Sequence, residues 1–414
     1  MAEVAVLGYG VVGAGVGIIC REQRETIRRR RGIDLNVKYV LDLRDFPDDP
    51  YADKIVHDPE IIFSDPEVSM VIETIGGTGA AYDYTKRALE AGKHVITSNK
   101  ELVAAHGAEL LKLAAEHKVF YLFEAAVGGG IPVLVSMREH LASNDIYAID
   151  GILNGTCNYI LSKMRKEGKA FQDALAEAQE RGYAERDPSD DVGGADTARK
   201  LAILASMCIG EWVDPEKILT EGIANITQRD IETAEALGDK IVLLATLRNK
   251  GAYEEPKLEL RVAPVLLPEE HPAACADDVF NAVFIRSYPL DDVMLYGRGA
   301  GSLPTANAIV GDMMEASTVP WTPGAAEIWQ APSPGRLEEA GDLTVSAVLR
   351  IKKDFDKQAL NTYLHDLNGF RFLESPFADE YLIETDSEQL REGRLKSAVK
   401  QLPEGSLLQI LRRI

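Results

Sequence analysis

Cysteine is scarce in this chain, and the four present, Cys20, Cys157, Cys208 and Cys275, form no CxxC pair and no metal-ligand spacing. A disulfide scaffold and a zinc module are disfavoured, and the four read as buried free thiols in a reducing compartment. Basic charge is also short. Lys and Arg number 45 against 66 Asp and Glu, a formal net charge of −21, which repels phosphate backbones and anionic lipid surfaces. Nucleic-acid and membrane partners are not expected. No apolar run approaches the roughly 18 to 20 residues that span a bilayer, and the opening MAEVAVLGYG reads as a strand and turn, not a basic and apolar leader. A cytoplasmic protein is expected. Among seven dispersed histidines there is no HExxH, and neither GxSxG nor a GxxxxGK phosphate loop occurs. Zinc peptidase, serine hydrolase and P-loop kinase readings lose their support.

What is present is ordinary globular composition, 46% hydrophobic and 27% charged, over 414 residues, a length that implies two or three domains. Residues 3–7 form a short apolar strand that runs into Gly8, Gly10 and Gly13, after which helical periodicity begins. The arginine run at 28–31 fits a solvated helix C-terminus. Further apolar strands at 37–41, 68–75, 94–98 and 119–124 alternate with helical stretches such as 82–91 and 100–116. This alternation predicts an α/β fold, a doubly wound parallel sheet of Rossmann type with helices on both faces. The expected dinucleotide-binding domain spans 1–132 and is completed by about 300–330, where YGRGAGSLPTANAIVGD opens another helix. An α+β substrate-binding and dimerisation domain is expected over 133–300. Residues 340–414 read strand, helix, two strands, helix, strand, which is the ferredoxin-like βαββαβ order.

Gly8-x-Gly10-x-x-Gly13, with Val11 and Val12 inside it, stands after a strand and before a helix. Its glycines allow a tight turn and close backbone approach to a pyrophosphate, and the helix N-terminus supplies donors and dipole. Asp42, at the end of the second strand, suits the adenosine ribose hydroxyls and favours NAD. Arg44, two residues on, suits a 2′-phosphate and favours NADP. NADP and NAD both stay open.

Three more stretches carry chemistry: Asn154-Gly-Thr-Cys-Asn-Tyr-Ile, then Gly182-Tyr-Ala-Glu185-x-Asp-Pro, then Asp190-Asp-Val-x-Gly-x-Asp196-x-x-Arg-Lys200-Leu. With TSNKEL at Thr97, EAAVGGGIP at Glu124 and YGRGAGSLPTA at Tyr296, the chain resembles homoserine dehydrogenase, in order, from Val4 to about Asp312. The resemblance implies interconversion of L-homoserine and L-aspartate-4-semialdehyde in threonine and methionine biosynthesis. Taken alone, Asp196 and Lys200 are an i, i+4 pair that suits a surface ion pair, although a lysine beside a carboxylate also suits proton transfer to or from an alcohol.

The resemblance assigns Lys200 as general acid/base, Asp196 as its orienting partner, Glu185 and Asp191 as substrate ligands, and Lys100 as a second catalytic lysine touching the coenzyme. Ile75 and Gly301 would line the nicotinamide pocket. It further implies a monovalent cation, sodium, held by the Glu124 side chain and the carbonyls of Val127, Gly129 and Ile131, although a tight turn needs the same glycines. The turn reads AAVGGG where Ala-Ser-Val-Ala-Gly-Gly is the commoner pattern. A homodimer or larger homo-oligomer is expected. The 340–414 segment has the strand and helix order of an ACT-type regulatory domain but reads IKKDFDKQAL where such domains carry an Asp-x-Pro-Gly turn. Threonine feedback and a structural or oligomerisation role therefore both stand. The dehydrogenase pattern begins at residue 1, which leaves no room for an aspartate kinase half. Another small-molecule NAD(P) dehydrogenase and a catalytically silent sensor are the competing readings.

Overall fold

A computed structural model describes residues 2–252, 255–322, 327–354, 356–367, 369–385 and 390–414. The chain divides into two compact units: Met1–Ser143 with Ala202–Pro215 and Leu295–Ser333, and Asn144–Leu201 with Glu216–Met294 and Pro334–Ile414.

The first unit is built on β1 (Ala2–Leu7), β2 (Leu35–Leu41), β3 (Ile55–Val56), β4 (Val68–Glu73), β5 (His94–Thr97) and β6 (Tyr121–Leu122). They pair in the order β3-β2-β1-β4-β5-β6, parallel throughout. The central strands are buried on both faces, which is why they read as continuous apolar runs. Strand order reverses between β1 and β4, and in such sheets ligands bind outside the carboxyl ends of the strands at that point. Helix Ser302–Thr318 belongs to this unit and lies against helix Val11–Glu22. A Cβ at Gly15 would lie 2.8 Å from Ser302 Oγ and 3.0 Å from Ala306 Cβ, and Ser302 Oγ donates to the Val11 carbonyl at 2.7 Å. The arginine run ends helix Arg24–Arg31 at left-handed Gly32, and Arg24 and Arg28 both pair with Asp34.

The second unit holds a mixed sheet of β7 (Asp145–Ile152), β8 (Leu219–Thr220), β9 (Asp239–Asn249), β10 (Leu258–Pro268), β11 (Phe280–Tyr288), β12 (Asp291–Arg298), β13 (Ser346–Lys352), β14 (Phe370–Leu373), β15 (Glu380–Thr385) and β16 (Leu407–Arg413). The order is β12-β11-β7-β9-β10-β16-β13-β15-β14, with β8 beside β10. One face of β7, β9, β10 and β11 supplies a core of Ile152, Val242, Leu244, Val265, Leu267 and Phe284.

This division differs from the one expected. The segment 340–414, read as a domain of its own, has a separate core around Leu349, Ile383 and Leu395, but it shares one sheet with residues 145–298. The join is a parallel pairing of β10 with β16, Val265 beside Arg412 and Leu266 beside Arg413. Ion pairs reinforce it: buried Arg350 holds Glu380 and Asp230, and buried Arg412 holds buried Glu392 and half-exposed Glu221. The final helix of this segment begins at Glu392; residues 386–389 lie outside the described residues.

Candidate active site

At the carboxyl edge of β1 each glycine has a separate task. Gly8 is in the left-handed region at φ +87°, and a Cβ there would lie 2.9 Å from the Thr74 carbonyl oxygen. A Cβ on Gly13 would lie 2.1 Å from the Gly8 carbonyl oxygen, so only glycine lets the helix start this close to the strand. Gly10 caps helix Val11–Glu22 with open space around it and no side-chain hydrogen bond to the first turn. Val11 is exposed and Val12 half-buried, at the helix end whose first-turn N–H groups have no intrahelical acceptor.

At the end of β2, the Tyr9 N–H donates to Asp42 at 2.7 Å, and Arg44 donates to both carboxylate oxygens at 3.0 and 3.1 Å. The Arg44 pairing, helped by the Tyr9 amide, holds the Asp42 carboxyl well below the usual carboxylate range. The two residues read from sequence as rival coenzyme determinants are thus partners. Arg44 stays mostly exposed, with its guanidinium 5.0 Å over the Phe46 ring.

The ends of β4 and β5 are tied by a fully buried carboxylate. Glu73 accepts from the N–H groups of Ile75 (2.7 Å) and Gly76 (3.2 Å) and from the Thr97 hydroxyl (2.6 Å). Thr97 Oγ1 accepts the Asn99 N–H, and Asn99 donates its amide to the Gly77 carbonyl at 2.7 Å. Asn99 also caps helix Lys100–His117 through the Leu102 N–H. One network therefore presents half-exposed Ile75 and the first helical residue Lys100 at the same edge. Gly301, at φ +122°, caps helix Ser302–Thr318, whose first residue touches the Val11 carbonyl.

Beyond β6, Glu124 is buried. Its carboxylate accepts the N–H groups of Leu134 (3.0 Å) and Val135 (2.5 Å), while its own N–H donates to Asp312 at 2.9 Å. Burial pushes the Glu124 carboxyl up to about 7. The Ile131 carbonyl accepts the Val133 N–H; the buried carbonyls of Val127 and Gly129 take no hydrogen bond from any described residue.

In the second unit the first and third motifs converge. Lys200 Nζ, on helix Ala195–Ile209, donates to Asp196 at 2.7 Å and to the Leu153 carbonyl at 2.8 Å. Both side chains are largely buried, at 12% and 8% exposure, so the surface ion pair read from i, i+4 spacing is instead an interior one. Asn154 donates to Asp191 at 2.7 Å and to Asp196 at 2.8 Å. The Cys157 thiol donates to the Asp191 carbonyl; burial raises it far above its ordinary range, so it stays neutral. Glu185 does not join this cluster: its side chain is exposed, and its backbone carbonyl accepts from Gln179.

A homoserine dehydrogenase family model matches residues 132–314, and the NAD binding domain of homoserine dehydrogenase matches residues 8–124. A homoserine dehydrogenase of Neisseria gonorrhoeae is 41% identical over 315 residues, 76% of this chain and 72% of that protein. The chain belongs to the homoserine dehydrogenase family. The homoserine dehydrogenase of Pseudomonas aeruginosa is 42% identical over 76% of this chain and 71% of its own length. Among solved structures, a homoserine dehydrogenase from Thiobacillus denitrificans matches with a TM-score of 0.88 at 32% identity, covering 100% of this chain and 98% of that one. A hyperthermophilic archaeal homoserine dehydrogenase mutant in complex with NADPH matches with a TM-score of 0.63 at 28% identity, over 76% of this chain and 97% of that one.

Glu73 went unread in the sequence, and Asn154, which opens one of the three motifs, was given no role there. Glu73 is the lone acid in a buried strand, an arrangement that calls for a specific partner. Asn154 precedes a helix, and an N-cap asparagine keeps its amide N–H groups for other acceptors.

The Glu124 shift generates a prediction. An acid with a raised pKa binds its proton more tightly when folded, so its contribution to stability falls as pH rises from about 4.5 toward about 7. Glu124→Gln removes this dependence. Calorimetric unfolding from pH 5 to pH 8 should show wild type losing stability relative to the variant by up to about 3 kcal/mol; parallel curves would contradict the assignment.

Proposed function

We propose that the chain interconverts L-aspartate-4-semialdehyde and L-homoserine with a nicotinamide coenzyme. The observation that carries this is the buried Lys200 ammonium held between Asp196 and the Leu153 carbonyl, in a family member with an uncapped glycine turn at its parallel sheet. A nicotinamide coenzyme bound at the glycine turn would supply reversible hydride chemistry at C4 of the aldehyde. Lys200 gives its proton to the aldehyde oxygen as the alcohol forms and recovers it in reverse, which is general acid/base work. Asp196 keeps the ammonium aimed. Asp191 and Glu185 are proposed to meet the substrate's amino group, and exposed Glu185 must turn inward to do so. Lys100, presented by the Glu73 network, is proposed to touch coenzyme and substrate oxygen.

The Tyr9-bound Asp42 carboxylate suits ribose hydroxyls, and the exposed Arg44 guanidinium suits a 2′-phosphate, so the edge accommodates both coenzymes. Buried carbonyls of Val127 and Gly129 without donors fit a sodium ion, which takes oxygen ligands. The Glu124 carboxylate is largely taken up by the helix start at Leu134 and Val135, so the cation would rest chiefly on carbonyls. Exposed Tyr147, Tyr288, Leu290 and Met294 support the proposed homodimer or larger homo-oligomer. No helix among the described residues is long and apolar enough to cross a membrane. The strand order β16-β13-β15-β14 supports the ferredoxin-like reading of the last segment. There Asp356 caps helix Lys357–Tyr363 through the Ala359 N–H, where an effector turn would stand, which favours a structural role.

The reaction is tested by L-homoserine-dependent reduction of NAD and NADP at alkaline pH, with and without sodium. Lys200→Ala should lower turnover by several orders of magnitude with coenzyme affinity little changed; normal turnover with lost coenzyme binding would refute its role. Arg44→Ala should lower kcat/KM with NADP at least about tenfold while NAD changes less. An equal loss with both coenzymes would place Arg44 outside phosphate recognition.

A further inference from the structure

We propose that Asn154 is a positioning residue of the reaction: its carboxamide holds Asp191 and Asp196 together as two carboxylates, which aims Lys200 and leaves net negative charge for a cationic amino group. This rests on the reading of Lys200 as the proton carrier.

Asn154 is 4% exposed, and its three hydrogen bonds leave little of its side chain uncommitted. The carbonyl oxygen accepts the Cys157 N–H at 2.8 Å and so caps helix Gly155–Glu167. The amide nitrogen donates to Asp191 Oδ1 and to Asp196 Oδ2, and Asp196 Oδ2 is the oxygen that also takes Lys200. The residue before it, Leu153, supplies the carbonyl that accepts Lys200. A single dipeptide at the end of β7 therefore sets acceptors and donors around both acids and the lysine.

Two carboxylates this close repel, and without a donor between them one takes up a proton. An arginine or lysine at 154 would satisfy them but would cancel the charge that draws in an ammonium. The neutral amide satisfies them and adds no positive charge to the site. The groups facing this point include Asp191 from helix Ser189–Val192, Asp196 and Lys200 from helix Ala195–Ile209, and Cys157 from helix Gly155–Glu167, with the Arg199 and Asp190 ion pair on the same two helices. Burial keeps the Cys157 thiol neutral.

Position 154 allows a clean test because aspartate caps a helix as well as asparagine does. Asn154→Asp keeps the acceptor for the Cys157 N–H and replaces the two amide donors with a third carboxylate. The site then holds a proton to higher pH. The acid limb of kcat/KM for L-homoserine should move up by about one pH unit or more, with about tenfold lower activity on that limb for each unit. Coenzyme affinity, followed by nicotinamide fluorescence, should change less than about twofold. If Asn154→Asp fails to fold, Asn154→Ser keeps the cap and one donor and should raise KM for L-homoserine more than it lowers kcat. A folded Asn154→Asp with an unmoved pH profile overturns the proposal, as does a loss that only tracks the folded fraction. A Lys200→Ala variant with normal turnover would instead remove the proton-transfer reading, so the two failures are distinguishable.

Discussion

Taking a carboxylate out of water is the constraint around which both units are arranged, because an ionised acid can stay buried only with donors on its oxygens. The chain meets it in two ways. Asp150, fully buried, lies between Arg248 and Arg286, and Glu392 lies against Arg412; both belong to the framework of the second unit's sheet. Glu73 instead receives backbone and hydroxyl donors, and Asp191 takes an amide donor from Asn154. An arginine satisfies a carboxylate and cancels it, whereas a neutral dipole satisfies it and leaves the charge in place.

The first unit lies close to its sequence. The apolar runs of β1, β4 and β5 and the spacing of Gly8, Gly10 and Gly13 are local signals, and local signals survive folding. The Asp42 and Arg44 pairing escaped the reading because two residues two apart were weighed as rivals, although their side chains can reach each other. Asn154 and Glu73 escaped for another reason. Their roles depend on Asp191, Asp196 and Thr97, between 24 and 42 positions away, and no periodicity reports contacts at that range. Glu185 shows the opposite case, a motif residue whose place in the sequence does not bring its side chain into the cluster.

The C-terminal segment differs from the separate domain expected for it in its connections: its last strand finds a neighbour in β10, outside the segment. Edge strands carry unpaired backbone donors and acceptors, and the parallel pairing of β10 with β16 removes one such edge from each half. The curated relatives align over about three quarters of the chain, while the Thiobacillus structure follows all of it.

That pairing also bears on the order in which the chain can fold during synthesis. β10 leaves the ribosome with β9 and the short β8 already available as neighbours, but β16, which pairs with Val265 and Leu266, is made only after the whole segment between them. Until then that end of β10 lacks its second neighbour, and Glu221 waits for Arg412. Contacts of such long sequence separation form late and slowly. The sheet that carries the Leu153 and Asn154 end of β7 is therefore finished after the glycine turn of the first unit.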